Sequence, residues 1–301
     1  MADSSLNISP KVAEALLHKR PVVALESTII SHGLPRPRNL AAARDFEELL
    51  ESQGVVPATI AVIRGTPTVG LSPEELELIA SEDIAKASVR DLPILEAKGL
   101  SGATTVAATA HLAARAGIQV FATGGLGGVH RGASETFDES ADLSTLATSP
   151  VAVVSAGVKS VLDIGATLER LETLSIPVVG YQTSTFPSFW LPDSEFELDW
   201  RAEDSGEVAA IIKAQRSAGS QSALVVANPV PLDQAWQREE HDQVLAKAFA
   251  AAEAQGVRGK EVTPFLLQFI VDASGGRSLE VNLNLAKNNV RVAAEIAKAL
   301  S

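Results

Sequence analysis

Six short runs of almost continuous apolar residues constrain this chain more than any other feature: PVVAL (21–25), ATIAVI (58–63), IQVFAT (118–123), VAVVSA (151–156), IPVVGY (176–181) and ALVVAN (223–228). A strand with one wet face alternates apolar and polar residues. One that is apolar at successive positions is covered on both faces, as in a parallel or mixed sheet between helices. The stretches between the runs carry a helical period: NLAAARDFEELLESQG (39–54), TTVAATAHLAARAG (104–117) and KSVLDIGATLERLETL (159–174). Three more helices are expected near the end, at 242–256, 263–276 and 283–300. This alternation predicts the α/β class, as a three-layer α/β/α sandwich with a mostly parallel or mixed central sheet. The stretch 186–204 is the least regular, and reads as an insertion or an edge strand. No low-complexity linker or internal repeat breaks the pattern, so residues 1–301 are expected to form a single domain.

Composition narrows the partners. Asp and Glu number 37 against 25 Lys and Arg, a formal charge of -12, and no basic stripe offsets it. Such a surface repels a phosphate backbone, so no nucleic-acid polymer is expected. A small phosphorylated ligand held by a few local cations remains compatible. The chain has no cysteine, which excludes disulfides, thiol nucleophiles and zinc–thiolate sites. No apolar run reaches the ~18 residues of a membrane span, and the first residues do not read as a signal peptide. The expectation is a soluble cytoplasmic protein without a membrane partner.

In open α/β sheets ligands sit beyond the carboxyl ends of the strands, so the residues that follow each apolar run are the candidates. Glu26, after the first run, is either a general acid in a cleft or a structural carboxylate, as a helix N-cap or in a salt bridge. After the third run comes TGGLGGVHRGASETFDESAD (123–142). Its glycines, at 124, 125, 127 and 128, are expected to admit a ligand close to the backbone. The dinucleotide fingerprint fails there, because His130 takes the place of its third glycine. Further on, His130, Asp138, Glu139, Ser140 and Asp142 form an oxygen-rich set suited to Mg²⁺ or Mn²⁺. The competing reading is a solvated acidic loop in which Asp142 caps the helix that follows.

Lys159 closes VVSAGVKS (153–160). A phosphate loop is rejected, since no earlier glycine stands at the required spacing. The remaining readings are a lysine snorkelling from the first turn of a helix and a reactive amine that forms a Schiff base. The first is disfavoured because a cation at a helix N-terminus opposes the macrodipole. Lys86 and Arg90, in KASVRD (86–91), are candidates for holding a phosphate or carboxylate. Asn282, Asn284, Asn288 and Asn289 default to capping and surface roles.

Read together, VALESTIISHGLP, GATTVAATAHLAARAGIQVFATGGLGGVHRGA, TFDESADL, SAGVKSVLDIG, GYQT, VVANPVP and GKEVTPFLL resemble, in order and spacing, the pseudouridine-5'-phosphate glycosidase family, formerly called indigoidine-synthase-A-like. The resemblance runs from about residue 8 to residue 299. It implies reversible cleavage of pseudouridine 5'-phosphate to uracil and ribose 5-phosphate by a homotrimer with one Mn²⁺ per subunit. It implies Glu26 as proton donor, Lys159 as nucleophile and Asp138 as metal ligand. Substrate contacts are implied for Lys86, Val106, Ser140, Ala141 and Asp142, with Thr123, His130 and Asn282 lining the pocket. A pseudouridine kinase is implied as pathway neighbour. The sequence departs from the family's pattern at Val89, where a second basic residue is frequent, and at Glu139, where an apolar residue is common. A Schiff-base aldolase or lyase for another phosphosugar, and a non-catalytic metal- or nucleotide-binding relative, are the alternatives. Neither accounts for ESTIISHG and TFDESAD together.

Overall fold

The structure, a computed structural model, describes residues 6–257 and 262–301; Gly259, Lys260 and Glu261 of the motif GKEVTPFLL lie outside them. The described strands are β1 (Asn7–Ile8), β2 (Val22–Leu25), β3 (Val56–Ile63), β4 (Thr66–Val69), β5 (Ala85–Ala87), β6 (Gly102–Thr104), β7 (Val120–Ala122), β8 (Ala152–Ser155), β9 (Val178–Tyr181), β10 (Arg201–Ala202) and β11 (Leu224–Ala227). They form an 11-stranded sheet in the order β1-β4-β3-β2-β7-β8-β11-β9-β10, with β6 joined to β3 and β5 to β6. Every pairing from β3 through β2, β7, β8, β11 and β9 to β10 is parallel. Antiparallel pairing is confined to β3 with β4 and with β6, so the sheet is mixed. Arg64 and Gly65 both have positive φ and join β3 to β4, the backbone a two-residue hairpin of right-handed twist requires.

Five of the six apolar runs contain one of these strands, and the sixth, 58–63, lies within β3, which starts two residues earlier. In β2, β8 and β11 every residue is buried, which only cover on both faces allows. The helices Arg38–Ser52, Ser205–Ser217 and Arg277–Leu300 pack together, and Arg277–Leu300 lies across β2, β7 and β8. Val106–Ala116 packs on β2 and β3 and against the short helix Ala141–Leu146. The sandwich expected from the sequence is therefore the observed architecture.

One helix begins later than its periodicity implies. Residues 159–163 form a turn, and the helix is Ile164–Thr173 with Asp163 as N-cap, its carboxylate accepting from Ala166 N at 2.9 Å. The irregular stretch 186–204 is held by isolated bridges and ends in the edge strand β10. It carries Phe186, Phe189, Trp190 and Leu191 into the core.

Trp190, Trp236 and His241 meet edge to face, with ring centroids 5.7–5.8 Å apart. Burial pushes the His241 imidazole below its ordinary value of 6.5, against the opposing pull of Asp242 2.8 Å from Nδ1. The unfolded chain takes up this proton near pH 6.5 and the folded one only at lower pH. The stability present above 6.5 is thus lost as pH falls through that window. His32 and His111 are displaced the same way, also chiefly by burial. His241→Phe is expected to flatten the fall of Tm between about pH 6.5 and 5; an unchanged slope in thermal melts would exclude His241 as a contributor.

Candidate active site

The parallel register decides which side chains meet. Leu25 of β2 lies opposite Ala122 of β7, and Ala122 opposite Val154 of β8. The next residues, Glu26 and Thr123, therefore emerge side by side at the carboxyl edge. Thr123 N donates to Val154 O at 3.0 Å. The Thr123 and Thr28 hydroxyls each donate to a different oxygen of Glu26, which is only 9% exposed. The carboxylate is thus held in one orientation by neutral donors, not by the salt bridge considered above.

Lys159 arrives from β8 on a turn that is zipped to the glycine loop. Leu126 N donates to Gly157 O (2.9 Å) and Lys159 N to Leu126 O (3.2 Å), an isolated parallel bridge beyond the sheet. Ser160 anchors the far side, its hydroxyl donating to Ser188 O at 2.7 Å. Lys159 is therefore not in the first turn of a helix, and the dipole argument does not apply to it. The strand-end turn places it instead. At three of its four glycines, 125, 127 and 128, the glycine loop is closely approached by other parts of the protein. A Cβ on Gly127 would stand 2.3 Å from Ser140 Oγ and 2.7 Å from Asp142 Oδ2, and one on Gly125 would stand 2.6 Å from the Phe189 ring.

Lys86 lies on β5 opposite Ala103 of β6, at the edge from which Val106–Ala116 starts. Its side chain is accessible to solvent but walled on most sides. Burial lowers its pKa first, the Lys159 ammonium lowers it further, and Glu26 and Asp142 pull it back. Lys86, Lys159, Glu26 and Asp142 thus share one electrostatic neighbourhood. Val106 is the first residue of its helix, with its side chain buried. Its N–H belongs to the amides a helix leaves without an internal partner, where anions bind. Asp142 is 5% exposed and spends both oxygens on backbone amides: Oδ1 on Ala107 N (2.9 Å) and Oδ2 on Gly127 N (2.7 Å). It takes up one of the free amides in the first turn of Val106–Ala116, whose N-cap is Thr105, while the cap of its own helix is Ser140. The competing reading, in which Asp142 caps the helix that follows, is therefore not the observed arrangement. Ala141 is exposed beside it.

The acidic loop folds back on itself, with His130 N bonded to Asp138 O at 3.0 Å and His130 Nδ1 3.9 Å from Asp138 Oδ2. Glu139 is drawn off by Arg170 (2.8 Å) and Val89 lies in a single 3₁₀ turn. No group of three His, Asp or Glu able to hold a metal occurs among the described residues. The donors there fit a hard dication that keeps most of its waters and takes one carboxylate, Asp138, 41% exposed. Asn282 accepts at 2.6 Å from the indole of Trp190, which the stretch 186–204 carries into the core.

Residues read as surface or unremarked turn out to be built in. Asn289 is fully buried, bonded to Asn228 and to the main chain after β7. Thr28 shares Glu26 with Thr123. A cavity of about 430 Å³ lies behind the Lys159 turn between Arg131, Ser188, Arg238 and His241, and none of the expected site residues lines it. Glu26 and Thr123 line a far smaller one of about 20 Å³. The site is identified by its chemistry and not by its volume.

An amine and a carboxylate converging at the carboxyl edge of a doubly covered sheet, beside a second lysine and a helix N-terminus, define an α/β/α enzyme for a small anionic substrate. Residues 11–299 match the family described as "Indigoidine synthase A like protein", and the chain belongs to that family. It is 61% identical to a pseudouridine-5'-phosphate glycosidase of Frankia alni, over 98% of this chain and 82% of the relative. To the pseudouridine-5'-phosphate glycosidase of Escherichia coli K12 it is 52% identical, over 97% of this chain and 95% of the relative. Among solved structures it superposes on the prealnumycin C-glycosynthase AlnA in complex with ribulose 5-phosphate with a TM-score of 0.92, at 36% identity and covering 99% and 97% of the two chains. An indigoidine synthase A-like protein of Thermotoga maritima gives 0.87 at 38% identity, with the same coverage.

Proposed function

We propose that this chain cleaves the C–C glycosidic bond of pseudouridine 5'-phosphate, reversibly releasing uracil and ribose 5-phosphate. The observation that carries the reading is that Glu26 and Lys159 follow the carboxyl ends of the parallel strands β2 and β8 while Lys86 feels the charge of both, in a chain most of whose length aligns with relatives of that name. A C–C bond offers no leaving-group heteroatom to protonate, so hydrolysis with two carboxylates has no point of attack. Opening the ribose supplies one. The Lys159 amine bonds to C1' while the C1'–O4' bond breaks and Glu26 gives its proton to O4'. The adduct nitrogen returns a proton to the Glu26 carboxylate, and its freed lone pair then expels uracil, whose C5 takes that proton from Glu26 as C1'–C5 breaks. The resulting imine is hydrolysed by water, freeing the aldehyde of ribose 5-phosphate. The covalent adduct divides one difficult step into smaller ones.

Lys86 and the N–H of Val106 receive the phosphate, with Ser140 and Ala141 alongside. Asp142 serves by bracing that helix against the glycine loop. Thr123 orients Glu26, and His130 and Asn282 close the pocket's rim. Asp138 holds the hydrated Mn²⁺, which when bound supplies positive charge that orients and polarises substrate through its waters. Asp138→Asn is expected to weaken Mn²⁺ binding at least about 10-fold in a titration followed by electron paramagnetic resonance, and chelation is expected to depress activity; full activity without any divalent ion would remove the metal from the scheme.

The test of function is chromatographic. Pseudouridine 5'-phosphate and Mn²⁺ should give uracil, and the products supplied together should give back substrate. Cleavage of another phosphosugar without uracil release would favour an aldolase. The family's homotrimer is carried with the proposal and is checked by light scattering. So are a cytoplasmic location and a kinase that phosphorylates pseudouridine upstream. No described helix is long and apolar enough to cross a membrane.

A further inference from the structure

Above the sheet sits a buried amide pair that the scheme leaves unused. Asn289, on the helix Arg277–Leu300, is 0% exposed, and Asn228, the residue after β11, is 3% exposed. Asn228 Nδ2 donates to Asn289 Oδ1 at 2.9 Å, which sets the way the second amide faces. Asn289 Nδ2 then donates to two consecutive carbonyls, Thr123 O at 2.7 Å and Gly124 O at 3.2 Å. Asn228 is itself tied to the sheet, its N–H donating to Ser155 O at 2.8 Å. The chain of bonds therefore runs from β8 and β11, through two side-chain amides, to the peptide that carries Thr123. The Thr123 hydroxyl holds one oxygen of Glu26.

We infer that Asn289 is a positioning residue for the proton donor: by fixing the Thr123–Gly124 peptide it fixes the hydroxyl that orients Glu26. The inference rests on the assignment of Glu26 made above. An apolar residue would fill this buried helix face without the cost of burying an amide, whereas only a donor holds two carbonyls at once. Thr123 is the first residue past β7, where the glycines begin; its N–H still bonds Val154 O and Gly124 O accepts from Ala156 N, and the Asn289 amide adds the hold that reaches this peptide from the covering helix. A buried amide pair supplies that hold without adding charge beside the carboxylate.

The experiment compares uracil release and thermal melting for Asn289→Ala, Thr123→Val and the double variant of the full chain. Asn289→Ala is expected to lower kcat about 10- to 100-fold with KM within about 3-fold, the signature of a misplaced catalytic group. In the Thr123→Val background the same substitution is expected to change kcat by less than about 2-fold, because the hydroxyl it acts through is gone. Equal losses in both backgrounds, or a rise in KM at unchanged kcat, would overturn the inference. If Asn289→Ala does not fold, Asn228→Ala carries the test, since it keeps the donor but frees its orientation. It should lower kcat about 3- to 10-fold, and this effect too should vanish with Thr123→Val. Uracil release by the wild type with undiminished kcat in the Asn289 variant would refute this inference alone. No release by the wild type would refute the functional reading and the inference with it.

Discussion

Lys159→Ala is expected to reduce uracil release by at least about four orders of magnitude while leaving Tm within about 2 °C of the wild type. The two halves of that outcome come from different features of the residue. Lys159 is half-buried, and among the described residues its ammonium has neither hydrogen bond nor ion pair, so its removal leaves no partner stranded. It also relieves Lys86, whose pKa the Lys159 charge depresses after burial has done so. Without that amine there is no bond to C1', and Glu26 alone cannot expel a carbon leaving group. Lys86→Ala should behave differently. Losing one charge-assisted contact to phosphate costs roughly 10- to 100-fold in kcat/KM, mostly through KM. Borohydride added during turnover should reduce the imine and leave a pentose phosphate on Lys159. A label on Lys86 would reverse the two roles, and an active Lys159→Ala enzyme would exclude the covalent route.

The fold was legible because the apolar runs report burial directly. A run such as VAVVSA is apolar at successive positions because β8 is covered on both faces, and no other arrangement accounts for it. The places where reading failed are those where one local signal has two physical causes. Periodicity carried the helix back to Lys159 because Val161 and Leu162 are buried, yet they are buried within a turn. Asp142 sits in the first turn of Ala141–Leu146, where a local capping role competed with a role at the site, but its carboxylate reaches the helix Val106–Ala116, a contact between residues 35 apart in sequence. Asn289 could have been found. Ala286 and Ala293 mark the buried face of its helix, and Asn289 falls between them, three residues after the first and four before the second, the spacings that share a face. A polar residue on that stripe announces a buried bond, although not its partner. The convergence of Glu26 with Thr123 required the register of β2 on β7, which the sequence of neither strand contains.

Gly157→Ala is expected to be the most destabilising single methyl in the region, and its comparison with Gly219→Ala isolates the reason. Both glycines lie in the left-handed region, at φ 81° and 77°. For each an L side chain adds a strain of about 1–2 kcal/mol. Around Gly219 nothing lies within 4 Å of the added carbon. At Gly157 that carbon would stand 2.2 Å from Pro187 O and 3.0 Å from the Phe186 ring. Neither neighbour has room to yield. Phe186 is fully buried, and the stretch 186–191 is fastened by Phe189 N to Ala156 O (3.0 Å) and by the Ser160 hydroxyl to Ser188 O. Overpacking of this kind adds about 1–3 kcal/mol. The total of roughly 2–5 kcal/mol should lower Tm on the order of 10 °C, against a few degrees for Gly219→Ala. Activity should fall further than stability, because Lys159 is two residues away and the displaced bridge between Leu126 and Val158 is what aims it. At a temperature where the variant remains folded, kcat is expected to drop at least about 10-fold. Equal melting temperatures for the two alanine variants would show that the loop around Pro187 yields freely, and that the Lys159 turn is not held by its packing.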